Sequence, residues 1–179
     1  MVSRSIPGAE GVVAFGKVDR PEEAINFDFY GDPRARITYS GRFFAFALGG
    51  EDRHQIGIAV ANNPECIGAL DPGRRLLILR ESPKQAGTYF NIADNDQPNG
   101  PFSAADLYSI FNGGDLNFFE LETIAPMQID KGVVAPSSLV SRTSILRGET
   151  ESLERYLAAE VGLQLTPGTS GPTLVACAT

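Results

Sequence analysis

Between residues 11 and 147 the apolar residues of this chain come in short runs, cut repeatedly by glycine, proline, asparagine or aspartate. Runs of about four to eight residues fit β-strands and are too short for most globular helices. Strands are expected at 11–15, 25–30, 36–40, 42–48, 54–60, 65–70, 74–81, 88–92, 106–111, 116–124 and 137–146. In 25–30, Ile25, Phe27 and Phe29 share one face by the two-residue period of a strand. Three turns join neighbours into hairpins. "GGED" (49–52) links 42–48 to 54–60, "DPG" (71–73) links 65–70 to 74–81, and "NGGD" (112–115) links 106–111 to 116–124. Pro72-Gly73 suits the centre of a type II turn, where proline fixes φ and glycine accepts φ > 0. About ten strands with short turns and no helix between them predict an all-β, antiparallel β-sandwich.

The pattern changes near the C-terminus. In "TESLERYLAAEVG" (150–162) Leu153, Tyr156, Leu157 and Val161 recur at helical spacing, with Thr150 as the N-cap and Gly162 as the stop. That apolar stripe must be covered by the sandwich or by a partner chain. The organisation read from the sequence is a sandwich domain over 1–147, a helix over 148–163 and a flexible tail over 164–179. Residues 1–10 form a loose lead-in. A length of 179 residues with 42% hydrophobic residues suits one domain with a real core.

The formal net charge of -7 argues against nucleic acid, whose phosphates call for clustered Lys and Arg. No run approaches ~18 apolar residues, so no membrane-spanning helix is expected, and "MVSRSIPGAE" has no apolar leader core. The chain reads as a cytoplasmic protein of bacterial type. Cys66 and Cys177 have no metal-type spacing. Cys66 is expected as a buried thiol, with a disulfide to Cys177 as the alternative. "DNDQPNG" (94–100) starts like a calcium loop, but its Asn-Gly pair comes one residue late and its bidentate position falls on Ala105. A solvated loop is the better reading there. With one histidine, no Ser-His-Asp set can be argued. No metal and no cofactor are expected.

The chemistry-bearing stretch is "FFELETIAPM" (118–127). By strand period, Glu120 and Glu122 share a face with Phe118, while Phe119, Leu121 and Thr123 line the other. Two adjacent acids repel, and burial raises the pKa of at least one. They serve as general acid or base, or as acceptors for sugar hydroxyls. The plain alternative is a solvated face, or pairing with Arg36, Arg42 or Arg53 from other strands. His54 is expected at a strand end, either structural or as a proton shuttle.

"LET" at 121–123, late in such a sandwich, resembles the late glutamate strand of galactose mutarotase and related aldose epimerases. The order of "FDFYGDPRARITYSGRFFAFALGGEDRHQIGIA", "RRLLILRES" and "FFELETIAP" is more closely similar to the C-terminal halves of uncharacterised bacterial members of that superfamily, over residues 25 to 147. The resemblance implies half of a supersandwich with a concave sugar-holding face and Glu122 as general base. Glu120, Phe118, Arg42, Arg53 and His54 are then the expected ligand-binding residues. It also implies a small carbohydrate ligand, with anomer interconversion or, alternatively, a non-catalytic binding or interaction module that keeps the fold alone. Two features depart from that family. The half of the chain that carries its catalytic histidine has no counterpart here, so His54 inherits no catalytic role. "DKGVVAPSS" (130–138) stands where "APGES" is typical. A sheet cut from a larger sandwich exposes apolar edges, which predicts coverage by the helix or a homodimer.

Overall fold

The computed structural model describes residues 5–89, 105–131, 133–135, 137–168 and 171–176, with the backbone alone at 28–29, 128–130, 134–135, 166–168 and 171–176. Two antiparallel sheets face each other. The first runs in the order β1 (Ser5–Pro7), β10 (Phe118–Thr123), β9 (Asp106–Asn112), β6 (His54–Ala59), β3 (Ile25–Phe29). The second runs β13 (Arg142–Arg147), β8 (Leu76–Glu81), β7 (Cys66–Asp71), β2 (Val13–Lys17), β5 (Phe43–Ala47), β4 (Ile37–Ser40). The expected all-β sandwich is therefore the observed architecture. A one-turn helix, α1 (Pro21–Ala24), sits before β3. Among the described residues, no helix is long and apolar enough to cross a membrane.

Alternation along each strand builds the core. Phe44 and Phe46 of β5, Ile56 and Ile58 of β6, Ile67 and Ala69 of β7, Tyr108 and Ile110 of β9, and Phe119 and Leu121 of β10 meet between the sheets. Strands β2 and β5 are buried on both faces. Phe15 and Phe43 point away from the first sheet into a second apolar cluster with Leu70, Leu77 and Leu79. That cluster is closed by α2 (Thr150–Tyr156), its continuation as a wider π-type turn (Leu157–Val161), and the start of β14 (Leu163–Gly168). Leu153, Leu157, Leu163 and Leu165 are all buried there. The stripe predicted at helical spacing is thus covered by the chain's own second sheet.

Several local expectations are corrected. "GGED" makes no hairpin: β5 lies in the second sheet and β6 in the first. The reason is the anchoring of the loop. The Asn112 side chain accepts from Gly49 N–H at 2.9 Å and donates to the carbonyls of Gly49 and Asp52 at 3.0 and 3.1 Å. Arg36 adds bonds to the carbonyls of Leu48 and Gly49. Both glycines have positive φ, 89° and 78°, which suits them to this passage between sheets. The β7–β8 hairpin forms as expected, but not through a type II turn. The left-handed residue is Arg75 (φ 54°), not Gly73, and Arg75 N–H donates to Pro72 carbonyl. Glu149, not Thr150, is the N-cap, while Gly162 (φ 81°) stops the helix as read.

The lead-in holds β1, paired with β10. The segment read as a flexible tail carries the hairpin of β14 with β15 (Gly171–Ala176), and another joins β11 (Gln128–Asp130) to β12 (Val133–Ala135). Of the strand expected at 88–92, Thr88 bridges Met127; residues 90–92, the 94–100 loop and Cys177 lie outside the described residues. Cys66 is a free, buried thiol, and burial pushes its pKa up to about 12.

Candidate functional site: a polar strip on the outer face of the first sheet

Glu120 and Glu122 do share a face, the one turned away from the core. In register, Glu120 lies between Ser5 of β1 and Phe111 of β9, and Glu122 stands opposite Ser109. Ser109 in turn faces Gly57 of β6, and Phe111 faces Gln55. This face therefore collects Ser5, Glu120, Glu122, Ser109 and Gln55 from four strands.

Glu122 is 2% exposed, an unusual state for a carboxylate, because burial without hydrogen bonds is costly. The bonds are present. The Gln55 amide donates to its Oε2 at 3.1 Å and to Ser109 Oγ at 3.0 Å. Burial nevertheless holds the Glu122 carboxyl above its ordinary value; the Ser109 hydrogen bond opposes this and the charge of Glu120 adds to it. Glu120, half-buried, accepts a hydrogen bond from the Ser5 hydroxyl.

Farther along the same face, Asp106 is fully buried and accepts from the Asn26 amide at 2.5 Å. Its position explains Gly57, where a Cβ would lie 2.4 Å from Asp106 Oδ2. A glycine inside a strand marks such a close approach.

Aromatic rings flank the strip at its other end. Phe111 packs against Phe118 (ring centroids 5.5 Å apart) and edge-to-face against Tyr30 (5.7 Å). Tyr30 is 49% exposed and sits at φ 55°, a conformation non-glycine residues seldom adopt. Such strain persists where surrounding structure holds it, and it clusters at binding sites.

Of the six residues singled out from the sequence, three lie together: Glu122, Glu120 and Phe118. Arg53 sits near the aromatic end, where its charge is felt by Tyr30, and is paired with Asp115 at 2.8 Å. Arg42 is elsewhere, beside the second sheet, in ion pairs with Asp19 and Glu65 at 2.7 Å each. His54 occupies the opposite face of β6. It pairs with Asn112 and shares the core side with Ile56 and Ile58. Its Nδ1 is buried without a hydrogen-bond partner among the described residues, and burial, helped by Arg36, holds its pKa below the usual imidazole value. Arg36, expected as a partner for the acids, is instead tied to the 48–49 carbonyls.

Sequence reasoning missed Gln55, Ser109, Asp106, Phe111 and Tyr30. Gly57 inside the strand 54–60 was the available signal for Asp106, and the alternation His54, Ile56, Ile58 was the signal that Gln55 points outward. Among the described residues, no group of three or more His, Cys, Asp or Glu side chains is placed to hold a metal ion. Comparison of the chain with models of protein families, with curated proteins and with solved structures finds no match.

Proposed function

We propose that the outer face of the first sheet binds a small carbohydrate. The observation that carries this reading is the meeting of two carboxylates, Glu120 and Glu122, with Gln55 and Ser109 on the face that bears the Tyr30–Phe111–Phe118 rings. Carboxylates and an amide accept and donate to hydroxyls, and ring faces pack on the C–H faces of a sugar. Ligand sites commonly combine an apolar platform with a few placed polar groups. In this reading Glu120 and the rings meet the ligand, and Glu122, with Gln55 and Ser109 fixing it, forms the floor.

A second reading is anomer interconversion, favoured by the raised pKa of Glu122. A carboxyl tuned toward neutrality is suited to acid–base work. Glu122 would take the anomeric hydroxyl proton as the ring C–O bond breaks, giving the open aldehyde, and return it on reclosure. An acid must protonate the ring oxygen, and the nearest acid on this face is Glu120. A protein that keeps the fold as an interaction module alone is the remaining alternative.

Two-dimensional exchange NMR of a panel of aldoses with the protein separates the three. Line broadening lost in Glu120→Gln, with no exchange, supports binding. Added α/β cross-peaks that vanish in Glu122→Gln support isomerisation. Neither effect, across the panel, leaves the interaction module.

A further inference from the structure

His54 is the single histidine of the chain, and it adjoins two structural devices at once. It is 8% exposed and stands on the core side of β6, opposite Asn112 of β9. The passage between the sheets, residues 49–52, runs directly into it and is clamped by the Asn112 amide at the carbonyls of Gly49 and Asp52. The turn that follows β3 rests against its ring: a Cβ on Gly31 would lie 3.9 Å from His54 Cδ2. Tyr30, the residue before that glycine, carries the ring packed on Phe111 at the aromatic end of the polar strip.

The seat suits a neutral ring and not a charged one. Nδ1 is buried with no hydrogen-bond partner among the described residues. A neutral imidazole can leave that nitrogen as a bare acceptor, but an imidazolium donates from both nitrogens, so its charge and an N–H would be buried unmatched. Three charged groups act on the ring: Arg36, Asp52 and Asp32. Arg36 is fixed on the Leu48 and Gly49 carbonyls and repels a charged ring. Asp32 is taken up by Arg34, through its guanidinium at 2.7 Å and its backbone N–H at 3.0 Å. Asp52 is exposed, and among the described residues its carboxylate forms no ion pair. It is the one anion of the three left to receive the imidazolium.

We propose that His54 is an acid-operated latch on the polar strip. Proton uptake from solvent turns the ring out toward Asp52, loosens the 49–54 passage and unseats the Tyr30 turn, which releases the strip's ligand. The release rests on the carbohydrate reading above; the latch does not. The seated ring resists protonation and the turned-out ring has ordinary imidazole basicity, so the open state gains as pH falls below about 6.5. Such opening is local, confined to the segments that touch the ring.

The test is an NMR titration of the full chain between about pH 7.5 and 5, alone and with glucose, galactose, mannose and xylose. With one histidine the ring signal is unambiguous. The amides of Gly31, Gly49 and Gly50 and the Tyr30 ring are expected to move in step with it, and in His54→Phe to stay still. Asp52→Asn, at an exposed position, moves the transition to lower pH and tests the latch even if His54→Phe does not fold. Where a sugar binds, wild-type affinity falls about tenfold over the range, as when a tenth of the molecules stay closed, and His54→Phe removes most of that fall. Glycine and Tyr30 signals that stay still while the ring titrates overturn the latch. So does the same movement in His54→Phe, an Asp52→Asn transition at the wild-type pH, or an equal loss of affinity in wild type and His54→Phe. Movement in step with the ring, with no sugar bound at any pH, upholds the latch and overturns the carbohydrate site.

Discussion

Replacing Glu122 with glutamine keeps an oxygen for the Gln55 amide and removes the charge. Because the folded carboxyl titrates above the unfolded value near 4.5, the native state binds the extra proton in the window above that pH. Stability therefore falls as pH rises through it, and the penalty stays at neutral pH. Glu122→Gln is expected to abolish that fall, so that the gap in melting temperature favours the variant most at pH 7 and closes near pH 4. Thermal unfolding across pH 4 to 8 checks it. Glu122→Ala should instead cost about 1–3 kcal/mol, by removing one of the two acceptors of the buried Gln55 amide. His54 has the opposite sign. Its folded pKa lies below 6.5, so the unfolded state takes the proton first and stability drops as pH falls below about 6.5. His54→Phe should flatten that acid arm. Period-2 alternation was enough to place both glutamates on one face. The same alternation, applied to 54–58, puts His54 with Ile56 and Ile58 on the core side. The role of Arg42 was not legible, because no local pattern says which sheet a strand joins.

At the scale of elements, the helix was readable from its 3.6-residue stripe, and its covering by β2, β5, β7 and β8 follows from strands that are apolar on both faces. Phe15, Phe43, Leu77 and Leu79 announce a second layer. Leu157→Ala, at a position with no exposure, should cost about 2–5 kcal/mol in urea unfolding. The turn at 49–52 misled because two glycines flanked by strands signal a hairpin. What decided otherwise was a long-range bond set from Asn112, 63 residues away from Gly49. Asn112→Ala is therefore expected to destabilise by about 1–3 kcal/mol through the unpaired Gly49 groups. The strands β1, β11, β12, β14 and β15 escaped notice because each is short, proline-bearing or low in alternation, and tertiary pairing rather than intrinsic preference fixes it.

For the whole molecule, the sandwich is bonded across its layers as well as packed. Tyr108 of the first sheet accepts a hydrogen bond from Ser82 N–H at 2.6 Å, just beyond β8, and Arg80 of the second reaches Leu121 carbonyl of the first. Tyr108→Phe leaves the buried Ser82 group unpaired and should cost about 1–3 kcal/mol with no change in the single unfolding transition followed by circular dichroism and fluorescence. The pairing of β1 with β10 has a consequence in time. Residues 5–7 are synthesised well before their partners, residues 118–120. The ribosome must deliver the whole stretch between them before β1 finds its place, so β1 spends that interval without its partner strand. Chains of such non-local wiring fold slowly, on the order of milliseconds to seconds, and the wait falls when the chain is most open to chaperones and to its neighbours.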